Sequence, residues 1–235
     1  MIGSWLRFFR VVNLPTVPGD VLVGAAAVLR FSAFNARTST LCACIAAICL
    51  YLFGLADNDI VGAKTDIDRP IANGEISLFA ARMARGLCLF GTLIVGALAN
   101  LPSCWWIVAF ALAVTIVVYN RTKWWLAMGL CRGLNVLCGA GAAMSAAVSE
   151  VRGKWTLFAI FLVWTLYIGF VTKYSEGEEL DADRKRRVGF LIGGIVYLQL
   201  LALLWFRVTP LLVAGAFLLV FLRLMRRFLP KVSAS

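Results

Sequence analysis

The feature that most limits what this chain can become is its series of long apolar segments, at about 5–29, 39–56, 77–99, 103–120, 124–148, 156–174, 188–206 and 208–225. A helix rises about 1.5 Å per residue, so about 20 residues cross the hydrocarbon of a bilayer. Each segment is near that length. A transmembrane β-barrel would alternate apolar and polar residues over shorter stretches, and 191–206 and 210–225 show no such alternation. The pattern predicts an all-α transmembrane helical bundle of about eight helices, with residues 1–235 forming a single integral membrane domain. Composition agrees: 62% of residues are hydrophobic and 15% charged, more apolar surface than one soluble core can hide. A soluble Rossmann protein or hydrolase is excluded. The first segment does not read as a cleaved signal peptide, because Asn13, Pro15, Pro18 and Asp20 interrupt it.

The net charge of +11 would suit a nucleic-acid partner if the basic residues formed a patch, but they follow the ends of the apolar segments. With the N-terminus in the cytoplasm, only Arg30, Arg37, Arg152, Lys154 and Arg207 fall on the far side. Eight crossings then put both termini in the cytoplasm, in an inner or plasma membrane, with no nucleic acid implied. The seven cysteines lie mostly within apolar stretches and the chain has no histidine, so they read as small buried hydrophobes, with a zinc site or disulfide framework the weaker alternative. Imidazole chemistry is absent.

The same placement brings ten of the twelve acidic residues to the cytoplasmic face, in two loops. In the first, Asn58, Gly62 and Asp66 recur at intervals of four, and Asp59 and Asp66, seven apart, share one side of any helix that persists there. Neighbouring carboxylates repel unless a cation lies between them, and Mg²⁺ takes hard oxygen ligands together with substrate phosphates. A solvated turn is the plainer alternative, but acids that interrupt an otherwise apolar chain favour a site. In the second loop, Glu176, Glu179 and Asp183 share one helical side with Lys173 just before them. Ligand set and hydrophilic loop are equally good accounts of these acids. A Mg²⁺ between the clusters would bridge them through a diphosphate, with Lys123, Arg132 and Lys173 offsetting the remaining phosphate charge.

Inside the spans, Asn13, Asp20, Tyr119, Arg132 and Asn135 require protein partners or a cavity, since each is costly in hydrocarbon. Arg132 and Asn135 lie three apart and face the same way, among glycines that permit close helix packing.

These motifs resemble those of the UbiA family of intramembrane prenyltransferases, over residues 7 to about 185. The family's first aspartate-rich motif, NDxxDxxxD followed by RPI and a glycine, is similar to Asn58-Asp59, Gly62, Asp66, Arg69-Pro70-Ile71 and Gly74. RVVNLPTVPGD resembles the family's first-helix pattern and sets Arg10 and Asn13 near the site, YNRTK resembles its tyrosine and lysine pair at Tyr119 and Lys123, and GLCRGLN, with Arg132 and Asn135, resembles a UbiA-like branch. There are departures. Gly62 stands where a metal-binding aspartate is common, the stretch from Asp66 to Arg69 is short, the second motif is rich in glutamate, and the family usually has nine helices. The resemblance implies Mg²⁺-dependent transfer of a prenyl group from a prenyl diphosphate to an aromatic or lipid-like acceptor within the membrane. It implies Asn58, Asp59 and Asp66 as catalytic metal ligands, and Glu176, Glu179 and Asp183 as a second metal set. Asn13, Arg69, Tyr119, Lys123, Arg132, Asn135 and Lys173 would then bind substrate or diphosphate. A transporter with a site among broken helices, and a non-catalytic UbiA-like protein, are the alternatives.

Overall fold

A computed structural model describes residues 2–29, 37–64, 66, 69–144, 154–176 and 182–228. Among these residues there are nine α-helices and no strand: α1 Ile2–Phe8, α2 Thr16–Leu29, α3 Arg37–Val61, α4 Leu78–Leu98, α5 Ser103–Thr122, α6 Trp125–Ala143, α7 Lys154–Ser175, α8 Ala182–Phe206 and α9 Thr209–Phe228. The first apolar segment is thus two helices rather than one broken span. A 3₁₀ turn at Val11–Asn13 separates α1 from α2, and the chain turns there because Arg10 takes a left-handed conformation, φ 39°. Seven helical stretches are long and apolar enough to cross a membrane, beginning with Val11–Leu29, and α9 contributes a shorter apolar stretch, Thr209–Leu224. With α1 too short to span, the eight remaining helices match the expected segments, and the ninth helix lies at the start of the chain.

The protein is an integral membrane protein, and its surface is built accordingly. Phe79, Leu87, Phe90, Ile107, Phe110, Phe190 and Trp205 are exposed around the outside, where lipid, not water, is their solvent. Polar and small residues turn inward instead. All of Thr16–Val28 in α2 is buried, surrounded by α3, α6, α7, α8 and α9.

Glycines fix how closely the central helices approach. A Cβ on Gly24 would run into the Val136 carbonyl, and one on Gly139 into the Val21 carbonyl, so α2 and α6 pack with backbones nearly touching, and they run in the same direction, since Thr16 meets Arg132, Val17 meets Asn135 and Val21 meets Gly139 in rising order. On the other side of α6, Gly129 faces Thr165, Gly133 faces Phe161 and Thr165, and Gly169 faces Trp125. That order runs oppositely along the two helices, so α7 is antiparallel to α6 and its C-terminal end lies beside the start of α6. The end of α3, tied by Asn58 to Lys123 just before α6, and the C-terminal end of α7 therefore lie at one end of the bundle.

At that end α4 starts with Ser77 as its cap, its hydroxyl accepting from Ala80 N–H at 3.2 Å. α1 packs there through Phe8 against Ala56, Ile76 and Ala81, and Arg7 pairs with Glu75 at 2.5 Å. Hydrogen bonds from Ser4 and Arg7 hold the Glu75 carboxyl below its usual range.

Candidate active site

The apolar body of α3 ends at Leu55, but the helix continues to Val61 and carries Asp57, Asn58 and Asp59 beyond it. The expected ladder persists past the helix end: Gly62 N–H donates to Asn58 O and Asp66 N–H to Gly62 O, both at 2.9 Å. Asp59 and Asp66 consequently meet one guanidinium. Arg69 Nη1 binds Asp59 Oδ1 and Arg69 Nε lies 2.9 Å from Asp66 Oδ2, with Arg10 Nη2 3.8 Å from Asp59 Oδ1. Gly62 permits this arrangement. A side chain there would collide with the Asp66 carboxylate, which occupies the space where an aspartate at 62 would begin.

Lys123 completes the cluster from another helix. α5 stops because Lys123 adopts a left-handed conformation, φ 54°, and closes on Tyr119 O at 2.7 Å. Its ammonium donates to Asn58 Oδ1 and lies 5.6 Å from the centre of the Tyr119 ring. Burial, and then the Arg69 and Arg10 charges, hold the Lys123 pKa below its usual 10.5 despite Asp66 and Asp59 nearby. Asp57, one residue before Asn58, serves differently: Arg85 Nη1 at 2.9 Å and Asn120 Nδ2 at 3.0 Å bind it, which ties α3 to α4 and α5.

The cluster opens on a cavity of about 240 Å³. Arg10, Asn58, Arg69, Tyr119, Asn120 and Lys123 line its polar part, and Val17, Ala47, Leu50, Leu112 and Ile116 its apolar walls. Arg132 and Asn135 line it as well.

Arg132 and Asn135 have a second allegiance that spacing alone did not disclose. Asp20, fully buried in α2, lies 2.9 Å from Arg132 Nε and accepts from Asn135 Nδ2 at 3.3 Å, Trp164 Nε1 at 2.9 Å and Gln199 Nε2 at 2.6 Å. Arg132 Nη2 and Gln199 Nε2 also reach Thr16 O, at 2.9 and 2.8 Å, and Asn135 Nδ2 reaches Val17 O at 3.0 Å. One carboxylate thus joins α2, α6, α7 and α8. A lone carboxylate in a bilayer interior is costly, and these donors offset that cost.

Of the expected site residues, the structure brings Asn58, Asp59, Asp66, Arg69, Tyr119 and Lys123 together and sets Arg132 and Asn135 in the cavity wall. It does not bring Asn13 or Lys173 to the cavity lining: Asn13 O accepts from Thr16 in the turn before α2, and Lys173 pairs with Glu176 at 2.7 Å on the surface. Asp183 is exposed at the start of α8, and Glu179 lies outside the described residues. Among the described residues no group of three or more carboxylates or cysteines is gathered for a metal. The donor types nevertheless suit one hard cation, because a single guanidinium already spans Asp59 and Asp66 and the Asn58 amide oxygen lies beside them. Asn120, Gln199 and Trp164 were missed. A lone glutamine within an apolar span was the available signal for Gln199.

No protein-family model matches the sequence, and no curated protein matches it. Solved structures do. A digeranylgeranylglyceryl phosphate synthase superposes with a TM-score of 0.61 at 17% identity, covering 100% of this chain and 93% of that one. A UbiA homologue from Archaeoglobus fulgidus bound to DMAPP and Mg²⁺ gives 0.60 at 13% identity, covering 97% and 87%, and the same homologue bound to GPP and Mg²⁺ gives the same values. The fold is that of the UbiA prenyltransferases. The UbiA fold is shared along nearly the whole length of both chains, although few residues are identical.

Proposed function

We propose that this UbiA-fold protein transfers a prenyl group from a prenyl diphosphate to an aromatic or lipid-like acceptor within the membrane, with Mg²⁺. The observation that carries this reading is the apolar cavity capped at one end by Arg10, Arg69 and Lys123 beside Asn58, Asp59 and Asp66. An amphiphile with a polyanionic head and a hydrocarbon tail matches both halves of such a cavity. The three cations would hold the diphosphate and stabilise the charge it gains as the allylic C–O bond breaks. The apolar walls, from Val17 to Ile116, would keep water from the electron-poor prenyl carbon. Tyr119 offers an aromatic face beside the same head group. Asn58, Asp59 and Asp66 would hold Mg²⁺, which supplies further positive charge against the leaving diphosphate.

Glu176 and Asp183, at the same end of the bundle, would supply a second cation site together with Glu179, and the positive-charge bias favours that end as the cytoplasmic face of an inner or plasma membrane. The whole chain, 1–235, would act as one membrane domain. The test is incubation of the purified protein in lipid with radiolabelled prenyl diphosphates of several lengths and an extract of membrane lipids and quinone precursors, with and without Mg²⁺. Labelled lipid product is expected only with Mg²⁺, and far less of it from Asp59→Asn or Asp66→Asn. Failure of any prenyl diphosphate to bind or react, with both variants behaving as the parent, would overturn the reading.

A further inference from the structure

The three oxygen donors at the head of the cavity are each held by one of the chain's own cations. Arg69 bridges Asp59 and Asp66, Lys123 sits on the Asn58 amide oxygen, and Arg10 stands behind Asp59. We infer that Arg69 and Lys123 occupy these donors until a diphosphate arrives, so that a divalent cation and a diphosphate enter the site together and neither binds well alone. The inference takes its ligand from the prenyl-transfer reading and adds the order in which the parts assemble.

The formal charges at the head decide the matter. Among the described residues that pair at the head, three cations, Arg10, Arg69 and Lys123, face two carboxylates, Asp59 and Asp66, leaving a single positive charge in excess. Arg132 does not count, because Asp20 neutralises it. A divalent cation entering alone would raise that excess to three charges and would have to displace Arg69 from both of its carboxylates. A fully ionised prenyl diphosphate entering alone would leave two negative charges uncompensated. The two together bring the head to neutrality. At short range and reduced dielectric, such imbalances outweigh the gain from any one contact.

The exchange needs only side-chain motion. The carboxylates pass from Arg69 to the metal, while Arg69 and Lys123 pass from the carboxylates and amide to phosphate oxygens, for which the guanidinium fork is equally suited. Gly62 is part of this device. By leaving space for Asp66 to fold back towards Asp59, it keeps both carboxylates within the span of one guanidinium.

The test uses the full-length protein in detergent or nanodiscs, with Mn²⁺ followed by paramagnetic resonance and Mg²⁺ and inorganic diphosphate as thermal-shift probes. For the parent, Mg²⁺ alone and diphosphate alone are expected to leave the melting temperature unchanged, and the two together to raise it. Arg69→Gln removes the competing charge and is expected to bind Mn²⁺ alone at least tenfold more tightly than the parent. Arg69→Lys keeps the charge and stays within about threefold of the parent, which also controls for misfolding. The inference is overturned if the parent takes up Mn²⁺ alone as tightly as with diphosphate, or if Arg69→Gln gains no affinity. Joint binding of metal and diphosphate without consumption of any prenyl diphosphate would sink the prenyl-transfer reading and leave this inference standing. Turnover by a protein that binds Mn²⁺ readily on its own would do the reverse.

Discussion

Two carboxylate–arginine centres lie on the same cavity and are built to opposite ends. Around Asp20, four side chains from three other helices donate to a carboxylate with no exposure at all, and every contact is supplied from within the chain. Around Asp59 and Asp66, two carboxylates share one arginine that is itself a quarter exposed, beside a cavity that has room for a ligand. The first arrangement satisfies the Asp20 carboxylate and holds helices together. The second is balanced by groups that can exchange partners, and that is what binding a charged ligand requires. Charge in a membrane protein therefore does not by itself mark the reactive site. The distinguishing property is whether the chain has left itself an exchangeable partner.

The sharpest way to break this comparison is to remove each carboxylate and ask which property fails. Asp20→Ala strands Arg132 in the interior and is expected to cost about 3–5 kcal/mol of stability, read as a large fall in Tm in detergent. Asp59→Asn is expected to lower kcat/KM for a prenyl diphosphate roughly hundredfold, with Tm changed far less than by Asp20→Ala. If Asp20→Ala kept its Tm while losing activity, the division between the two centres would be wrong. Gln199→Leu removes donors to Asp20 and Thr16 O together, and about 1–3 kcal/mol of stability should go with them, with KM for the donor unmoved.

A smaller effect concerns pH. Lys123 has its pKa lowered by burial and by Arg69 and Arg10, so it surrenders its proton at a lower pH than an ordinary lysine. Affinity for the diphosphate should accordingly decline on the alkaline side below pH 10.5, and Lys123→Arg should carry that decline to higher pH. Stability moves the other way, since in that window the unfolded chain binds more protons at Lys123 than the folded one, and Lys123's contribution therefore rises with pH. The smallest change is expected from Glu176→Gln. Its pair with Lys173 is more than half exposed on both sides, so stability should shift by less than about 1 kcal/mol. A clear change in Mg²⁺ dependence in the same variant would bring the second acidic loop into the exchangeable class.

The extent to which all this was readable in the amino-acid order follows from the range of the forces involved. Span positions rest on local hydropathy, and α3 to α9 fall where the apolar segments do. The Asn58–Gly62–Asp66 ladder is a local hydrogen-bonded repeat, and it holds. What spacing could not supply was partner choice across the bundle. The sequence assigns Arg132 and Asn135 to substrate or diphosphate, and only the packing of α6 on α2, set by Gly24 and Gly139, brings them to Asp20. Lys173, near the acids in sequence, satisfies Glu176 three residues away and never reaches the cavity lining. In the first segment the interruptions are visible but not the turn they allow, which breaks the backbone at Arg10 and Val11–Asn13.

The Asp20 junction also bears on how the chain is made. Its partners emerge late, Arg132 112 residues after Asp20 and Gln199 179 residues after it. At about 5–20 residues per second the ribosome needs roughly 10–40 s to travel from the acid to its last donor. For that interval α2 carries a bare carboxylate that lipid will not accept. α2 therefore gains the partners of its buried acid only once α6, α7 and α8 have been made.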